Sequence, residues 1–554
     1  MSLLSLEFDE LVKVGIFLTL TEVQHFSATN TKLWRNVGQN ALFWQEYLRA
    51  RYGYYRMDVR GGKTTYAFRN HFQQLVQQLE YDMKSSKIDS SQTNKLIAKH
   101  LHLLDGLRYA VSDNCEVDSE YIWEMEGHSG ALVLDRFWII VSGWPREEHF
   151  DNAALCLDLG HHNCISDDIN PTDFNFTLKD NFERVIKVKP VLVHNTPRLP
   201  IQRFVYGFTV TSMCLPGELD YLYNDGDKTS PNNYTKRLVL FGGLTLGGYR
   251  GDVNGLYILD VTFKESGITA ELSDIEAFSS NRPISAHVKW SSNMTPARPS
   301  DPDMLLPITR GYHTANVIAL NGGRRSLVLF GGLHQHQPCN SLEIYDIETN
   351  KWVYNGSTST ASSYDVAGAR PSNRFGHSST LVGNKLYVCG GSNGNDLIRN
   401  GSELKDLYIL EFSHEHNKLA WSQPIIPINF TNAFYPGRCH TATIMGDKII
   451  FFGGDADHSN DLVVFDTKTQ EISLPELCVD EDTQIIPRMS AVAVSRGVKL
   501  FIFGGFNQEY GQLGDVWQVD LAFDLISTNR PGIRLMSEVE SSDGDSEYYL
   551  GEDD

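Results

Sequence analysis

Five apolar runs in this chain each end in a pair of glycines, and this repeat constrains the fold more than any other feature. The runs are LVLFGG at 238–243, LVLFGG at 327–332, LYVCGG at 386–391, IIFFGG at 449–454 and LFIFGG at 500–505. Successive pairs lie 89, 59, 63 and 51 residues apart. The shortest interval matches a structural repeat of about 50 residues, and loop insertions account for the longer ones.

Each run belongs to a larger unit with a fixed order of parts. A turn that carries arginine comes first, and after the glycines a third strand often ends in aspartate, as at 342–346 and 462–466. A fourth strand often carries tryptophan, and the examples are Trp290, Trp352 and Trp421. Short β-branched and aromatic runs bounded by turn residues predict four-stranded antiparallel blades. Residues 138–158 form a degenerate sixth unit, so we predict six blades.

Together these parts resemble the kelch repeat over roughly residues 119–530. The resemblance implies an all-β, six-bladed kelch propeller, to which we assign residues 119–535. Two segments compete to complete the last blade: residues 121–124, before the first unit, and residues 526–535, after the last. Completion by the N-terminal segment would close the ring and leave no free strand edge.

The first fifty residues have a helical pattern instead, with Leu11, Val14, Phe17 and Leu18 on one face. The segments LEFDEL at 6–11, IFL at 16–18, LTEV at 20–23, TKLW at 31–34 and NALFW at 40–44 occur in an order that resembles the F-box. Phe8 stands where that family usually has proline. We therefore predict a multidomain chain, with a small all-α F-box-like domain at 1–53, a helical spacer at 54–118 and a disordered acidic tail at 536–554.

The F-box resemblance implies binding to the Skp adaptor of a cullin complex. So short a domain would bury its many aromatic side chains poorly by itself, which favours a partner groove; the alternative is an ordinary helical core. The motif-matched contact residues are Phe8, Leu11, Ile16, Phe17, Leu20, Val23, Trp34 and Trp44.

Charge and cysteine content limit the remaining classes. The net charge of −21 argues against nucleic acid and against anionic membranes, and no stretch reaches the roughly 18 apolar residues of a spanning helix. The N-terminus lacks the basic region of a secretory signal. Eight scattered cysteines in a large chain indicate reduced thiols, and hence a cytoplasmic or nuclear protein.

Arginines that recur in the turns before the glycine runs are the candidate substrate-binding residues of the propeller. Repeat symmetry would place them on a ring around the central axis, where guanidinium groups suit acidic or phosphorylated ligands. In the alternative interpretation each arginine braces its own loop through hydrogen bonds to carbonyls. The five candidates are Arg203, Arg310, Arg374, Arg438 and Arg488.

Other chemistry has weaker support in the sequence. Residues 455–466 are rich in aspartate, but glycine is missing from the sixth position of a calcium loop. Histidines in three loops lack a third ligand at metal-binding spacing. We predict no cofactor, no metal and no catalytic residue. The expected function is a substrate receptor of an SCF-type ubiquitin ligase; the alternatives are a kelch scaffold without a ligase role and, less favoured, a propeller enzyme.

Overall fold

The computed structural model describes residues 95–103 and, with gaps, residues 124–520. Within these residues the chain forms thirty-three β-strands and no helix, which confirms the all-β prediction for the repeat region. The F-box-like segment 1–53, the spacer up to residue 94 and the tail 536–554 lie outside the described residues.

Six four-stranded antiparallel blades form the body of the fold. Blade 1 comprises Ser129–Val133, Phe137–Val141, Ala154–Asp158 and Ile186–Pro190. Blade 2 comprises Thr209–Ser212, Tyr234–Phe241, Leu256–Glu265 and Ile284–Ser291. Blade 3 comprises Thr314–Leu320, Arg324–Phe330, Leu342–Asp346 and Lys351–Asn355. Blade 4 comprises Ser378–Val382, Lys385–Cys389, Leu407–Phe412 and Lys418–Ser422. Blade 5 comprises Thr441–Met445, Lys448–Phe452, Leu462–Asp466 and Ile472–Ser473. Blade 6 comprises Val492–Arg496, Lys499–Asn507, Gly511–Asp520 and Lys95–Leu103.

Shorter strands cover the loops and the outer edges of several blades. They are Met125–Glu126, Trp144–Pro145, Leu192–His194, Val205–Tyr206, Leu244–Thr245, Leu333–His334, Gln337–Pro338, Asp365–Ala367 and Glu476–Cys478. Two of them, Leu192–His194 and Asp365–Ala367, pair in parallel with the fourth strands of blades 2 and 4. These additions protect strand edges that would otherwise be open to another chain.

The blades close into a ring. The first strands of consecutive blades contact one another, and the first strand of blade 6 contacts that of blade 1. An N-terminal strand completes the last blade, but it is Lys95–Leu103, and neither of the two candidate segments, 121–124 and 526–535, takes that place beside Gly511–Asp520. The helix predicted here, at residues 95–104 of the helical spacer 54–118, was therefore wrong. Its apolar residues fit a helical period, but pairing with Gly511–Asp520 imposes the extended form.

The hydrophobic core consists of layers between neighbouring blades. Second-strand residues such as Leu327 and Phe330 are fully buried, because a blade in the ring has a neighbour on both faces. The ring centroids of Trp352 and Phe241 of the preceding blade are 5.7 Å apart, and those of Trp421 and Phe330 are 5.0 Å apart. The tryptophans of the fourth strands thus fill the wedge between blades.

The glycine pairs allow neighbouring blades to approach closely. A Cβ atom on Gly331 would lie 2.6 Å from Cε1 of His377 and 2.9 Å from the carbonyl oxygen of Arg374, both in blade 4. The amide of the next residue, Gly332, donates a hydrogen bond of 2.8 Å to that same carbonyl. Both glycines have positive φ, 64° and 103°, which other residues rarely adopt. The repeat is therefore the point at which one blade is bonded to the next.

Candidate functional site

Six residues, one from the turn before the first strand of each blade, form a hydrogen-bonded ring at the centre of the propeller. Each backbone amide donates to the carbonyl oxygen of the equivalent residue in the preceding blade, over distances of 2.5 to 3.2 Å. The members are Gly127, Gly207, Tyr312, Gly376, Cys439 and Ser490. We call these six residues the central ring. Because their amides and carbonyls bond to each other, the side chains of the ring decide what it offers to a ligand.

All six residues of the central ring have φ between 54° and 64°. Three are glycines, and the other three carry side chains that are partly exposed: Tyr312, Cys439 and Ser490. A Cβ on Gly207 would lie 2.8 Å from the ring of Tyr312. Strain of this kind in non-glycine residues is common at binding sites, so these side chains are candidates for ligand contact.

Ionisable side chains lie close to Cys439. Nε of Arg438 is 3.8 Å from Oε1 of Glu403, and both side chains are largely buried, at 17% and 14% exposure. Burial raises the pKa of the Cys439 thiol to about 12, although the Arg438 charge and a hydrogen bond with Ser490 act in the opposite direction. The thiol is therefore protonated at neutral pH and acts as a weak donor, not as a nucleophile.

Glu126 lies next to the central ring at the seam between blades 6 and 1. Nε2 of Gln512 donates to Oε1 of Glu126 over 3.2 Å. Burial raises the pKa of Glu126 to about 7, and the hydrogen bond from Gln512 offsets part of this rise. A carboxyl group that is near its titration point at neutral pH responds to any charge brought close to it. We call the central ring together with Glu126, Glu403, Arg438 and Gln512 the mouth.

Three of the five candidate arginines brace their own blades. Nη1 and Nη2 of Arg374 donate to the two carboxylate oxygens of Asp406 over 2.6 and 2.9 Å, and Nη1 also reaches the carbonyl of Gly390. Arg488 makes the same set of contacts with Asp515 and Gly504. Arg310 donates to Glu343 and to the carbonyl of Gly331. All three side chains are buried, so the bracing interpretation describes them and the ligand-capture interpretation does not.

Arg438 occupies a different place in its blade. In blades 3 and 4 the arginine precedes the buried histidine by three residues, whereas Arg438 precedes His440 by two. Gly437 occupies the backbone position that an arginine has in blades 3, 4 and 6, because its carbonyl oxygen accepts the hydrogen bond from the amide of Gly391. In those three blades the equivalent bond is accepted by the carbonyl oxygen of the arginine. Arg438 is thereby directed to the mouth, and the spacing in the sequence already contained this signal. Arg203 lies outside the described residues.

Buried histidines connect successive blades. Nε2 of His313 and Oγ1 of Thr209 share a hydrogen bond of 3.0 Å; His377 pairs in the same way with Thr314 at 3.0 Å. His440 and Ser378 are 2.8 Å apart. Burial lowers the pKa of each of these rings, so they stay neutral. The sequence pattern included these histidines in the turns but did not reveal their role.

The other sequence candidates are located as follows. The eight predicted Skp-contact residues lie outside the described part of the chain. Asp466, at the end of the aspartate-rich loop, accepts hydrogen bonds from the amides of Lys468 and Thr469 and from Lys448, which makes it a turn cap. Among the residues that the structure describes, no group of three metal-binding side chains comes together, and no helix is long and apolar enough to cross a bilayer.

A closed ring of blades whose loops meet at one mouth defines the class of this protein: a β-propeller that serves as a protein-interaction module. The family comparison gives the type. Residues 289–471 match the model described as the KLHDC2/KLHL20/DRC7 Kelch-repeats domain. The chain thus contains a kelch-repeat domain, as the repeat pattern predicted.

Several curated proteins are similar over part of their length. Tip elongation aberrant protein 1 of Schizosaccharomyces pombe is 33% identical over 199 residues, which covers 35% of this chain and 16% of that protein. Host cell factor 1 of Homo sapiens is 29% identical over 190 residues, 32% of this chain and 9% of that protein. Kelch domain-containing protein 3 of Bos taurus is 28% identical over 270 residues, 44% of this chain and 62% of that protein. The chain spans less than two thirds of each of these relatives.

Proposed function

We propose that this chain is the substrate receptor of an SCF-type E3 ubiquitin ligase, in which the F-box-like segment binds the Skp adaptor and the kelch propeller binds the protein substrate. The observation that carries the proposal is the combination within one chain of an F-box-like pattern ending near residue 53 and a propeller whose last blade is completed by Lys95–Leu103. The two parts are thus close in sequence, since Lys95–Leu103 of the propeller begins 42 residues after residue 53.

The mechanism is proximity. A receptor that holds the adaptor and the substrate at once raises the effective concentration of substrate lysines near the charged conjugating enzyme. This chain contributes no catalytic residue to that transfer. The protein acts in the cytoplasm or the nucleus, where cullin complexes and reduced cysteines are both found.

The mouth is the proposed substrate-binding surface. An acidic or phosphorylated substrate group would have to compete with Glu403 for Arg438, since the other described candidate arginines are buried in their own ion pairs. Tyr312 and Ser490 add an aromatic surface and a hydroxyl group at the same place. The mouth therefore favours a ligand with mixed polar and apolar character over a purely anionic one.

Binding of purified Skp adaptor to the full chain tests the proposal. A Phe17→Ala/Trp34→Ala double variant should lose binding by at least tenfold, while circular dichroism shows that the β-propeller stays folded. Tyr510→Ala is the matched control, because Tyr510 is the large aromatic that is 53% exposed in the described residues and belongs to the propeller. Absence of binding by the intact chain would reject the ligase role and favour the kelch scaffold.

A further inference from the structure

Glu126 occupies a repeat position at which the propeller itself needs no carboxylate. It directly precedes Gly127 of the central ring, and each of the other five blades has an equivalent residue directly before its own ring member. These equivalent residues are Tyr206, Gly311, Phe375, Arg438 and Met489. Their side chains share neither charge nor size, although the backbone pairing beside the ring recurs, for example at Gly311 and Phe375. The carboxyl group of Glu126 is therefore not a requirement of the fold.

The carboxyl group of Glu126 is partly buried and lacks a cationic partner in the part of the chain that the structure describes. Its hydrogen-bond donor is the neutral amide of Gln512, over 3.2 Å. Burial raises the pKa of Glu126 to about 7, and this hydrogen bond offsets only part of the rise. Nε of Arg438, the cation of the mouth, faces Glu403. A desolvated carboxylate of this kind gains more from an incoming cation than a solvated one does.

An aromatic side chain is exposed on the same side of the mouth. In blade 6 the hairpin of the second and third strands extends past Phe506, which pairs beside the central ring, to a turn at residues 508–510. Tyr510 lies in that turn and is 53% exposed. It is two residues from Gln512, which contacts Glu126, and two residues span at most about 7 Å. The aromatic residue and the carboxyl group therefore belong to one part of the mouth, at the seam between blades 6 and 1.

The turn that carries Tyr510 has a fixed shape. Oδ1 of Asn507 accepts hydrogen bonds from the amides of Glu509 and Tyr510, over 2.8 and 3.2 Å. Nδ2 of Asn507 donates to the carbonyl oxygen of Pro487 over 2.7 Å. A turn that is already ordered presents its side chains at a smaller entropic cost on binding. Because the face of a tyrosine ring attracts cations, Tyr510 suits the same kind of ligand group as Glu126.

We infer that the mouth binds a lysine or arginine side chain of its protein ligand, with Glu126 as the carboxylate partner and Tyr510 as the aromatic surface. The inference rests on the proposed function for the mouth as the substrate-binding surface. The net charge of −21 supports a basic ligand, since an acidic protein attracts positively charged segments from a distance. Arg438 does not oppose such a ligand, because Oε1 of Glu403 lies 3.8 Å from its Nε and balances its charge.

Retention of defined peptide pools on the immobilised full chain tests the inference. The probes are acetylated and amidated octapeptides with Arg, Gln or Glu fixed at one central position and uncharged residues elsewhere. The Arg pool should be retained at least about tenfold more strongly than the Gln pool. Equal retention of the Arg and Glu pools, including no retention of either, would overturn the inference. A preference for the Glu pool would also overturn it and would point to capture of an anionic group by Arg438.

Three variants locate the effect. Glu126→Gln removes the charge but keeps an acceptor for Gln512, so the variant should stay folded and retain the Arg pool about tenfold less. Tyr510→Ala should lower retention about threefold. Glu471→Gln is the matched control, because it removes the same charge from an exposed residue in the turn after the third strand of blade 5. That turn lies at the end of the blade away from the central ring, and retention should change less than about twofold.

The comparison of the two Glu→Gln substitutions separates a local site from general attraction. Equal losses for Glu126→Gln and Glu471→Gln would mean that the acidic protein attracts any cationic peptide, and this would overturn the inference. Near-ultraviolet circular dichroism of each variant confirms that the propeller is intact. A loss confined to Glu126→Gln and Tyr510→Ala would support the cation site.

Adaptor binding separates this inference from the proposed function. Purified Skp adaptor is added to the unsubstituted chain in a parallel experiment. Failure to bind the adaptor would reject the ligase role, whereas a preference for the Arg pool that is lost in Glu126→Gln would still support the cation site. Binding of the adaptor without a preference for the Arg pool would overturn the cation site and leave the ligase role standing.

Discussion

The backbone amide of Gly127 donates a hydrogen bond of 3.2 Å to the carbonyl oxygen of Ser490, and this contact joins the first repeat of the propeller to the last. At the rim the same seam is held by Lys95–Leu103, which pairs with strands of blade 6 and of blade 1. The seam is therefore closed both at the centre and at the periphery. Without the N-terminal strand the seam would be held at the centre alone.

Removal of the N-terminal strand should open this seam. A chain that begins at residue 104 should lose at least about 5 kcal/mol of unfolding free energy relative to one that begins at Lys95, because each net backbone hydrogen bond contributes about 1 kcal/mol and the strand pairs on both edges. Urea unfolding compares the two proteins, and gel filtration detects association through the exposed edge of blade 6. Equal stability of the two truncated chains would contradict the role given to the strand.

The close approach of blades at the glycine pairs gives a second prediction. Gly331→Ala places a methyl group 2.6 Å from His377, and we expect a loss of roughly 2–5 kcal/mol from left-handed strain plus overpacking. Gly383→Ala is the matched control, since Gly383 has φ of 60° but no atom within 4 Å of the added methyl group. Its cost should be the strain alone, about 1–2 kcal/mol. Similar losses of unfolding free energy for the two variants in chemical denaturation would mean that blades 3 and 4 move apart to accommodate the methyl group at position 331.

The arginines should differ in how much they contribute to the stability of the propeller. Arg374→Ala removes a fully buried guanidinium group and leaves the carbonyl of Gly390 and Asp406, whose side chain is 27% exposed, without that donor. We expect a loss of about 3 kcal/mol, the lower end of the range for breaking a buried pair. Arg438→Ala should cost less, about 1–2 kcal/mol, because its contact with Glu403 is longer, at 3.8 Å, and the Arg438 side chain keeps 17% exposure. Thermal unfolding of both variants checks the order. A larger loss for Arg438→Ala would show that the mouth is part of the core.

The repeat period predicts most of the fold. Gly-Gly pairs, aspartates that end third strands and tryptophans in fourth strands each mark a local geometry that every blade needs, so blade number and strand order follow from the pattern. Closure by an N-terminal strand was one of the two alternatives that the sequence left open, since an unpaired edge is costly. The closing strand itself was not predicted, because Lys95–Leu103 becomes a strand only through partners far away in the sequence.

The site was harder to predict for a related reason. Repeat symmetry says that equivalent residues lie on a ring, but not whether their side chains face the axis or the interior of the blade. Arg374 meets a carboxylate in the next loop of its own blade, at Asp406, and such pairing depends on how that loop packs. The one-residue shift of Arg438 relative to His440 was visible in the sequence, but its consequence requires knowledge of the central ring.

The buried histidines predict how stability depends on pH. Blade 1 has a fourth buried histidine, His128, directly after Gly127. Burial lowers the pKa of His128 to about 3 and that of His440 to about 4, against smaller rises from backbone hydrogen bonds, and it also lowers the pKa values of His313 and His377. In the unfolded chain histidine titrates near 6.5. Between about pH 6.5 and pH 4 the unfolded state therefore binds more protons, and stability falls as the pH falls through this window. Glu126, with its raised pKa, acts in the opposite direction, but one carboxyl group opposes four imidazoles.

A His440→Phe variant isolates one of these groups. Blade 2 already has phenylalanine, Phe208, at the equivalent position, where it is buried, so the substitution suits the fold. It should cost about 1–2 kcal/mol at pH 7, because Ser378 loses its hydrogen-bond partner. Between pH 6.5 and pH 4, however, the unfolding free energy of the variant should fall less steeply with falling pH than that of the parent. The difference in slope should correspond to about one proton fewer taken up on unfolding. Urea midpoints measured across this range give both slopes, and identical slopes would mean that His440 takes up its proton within the folded propeller.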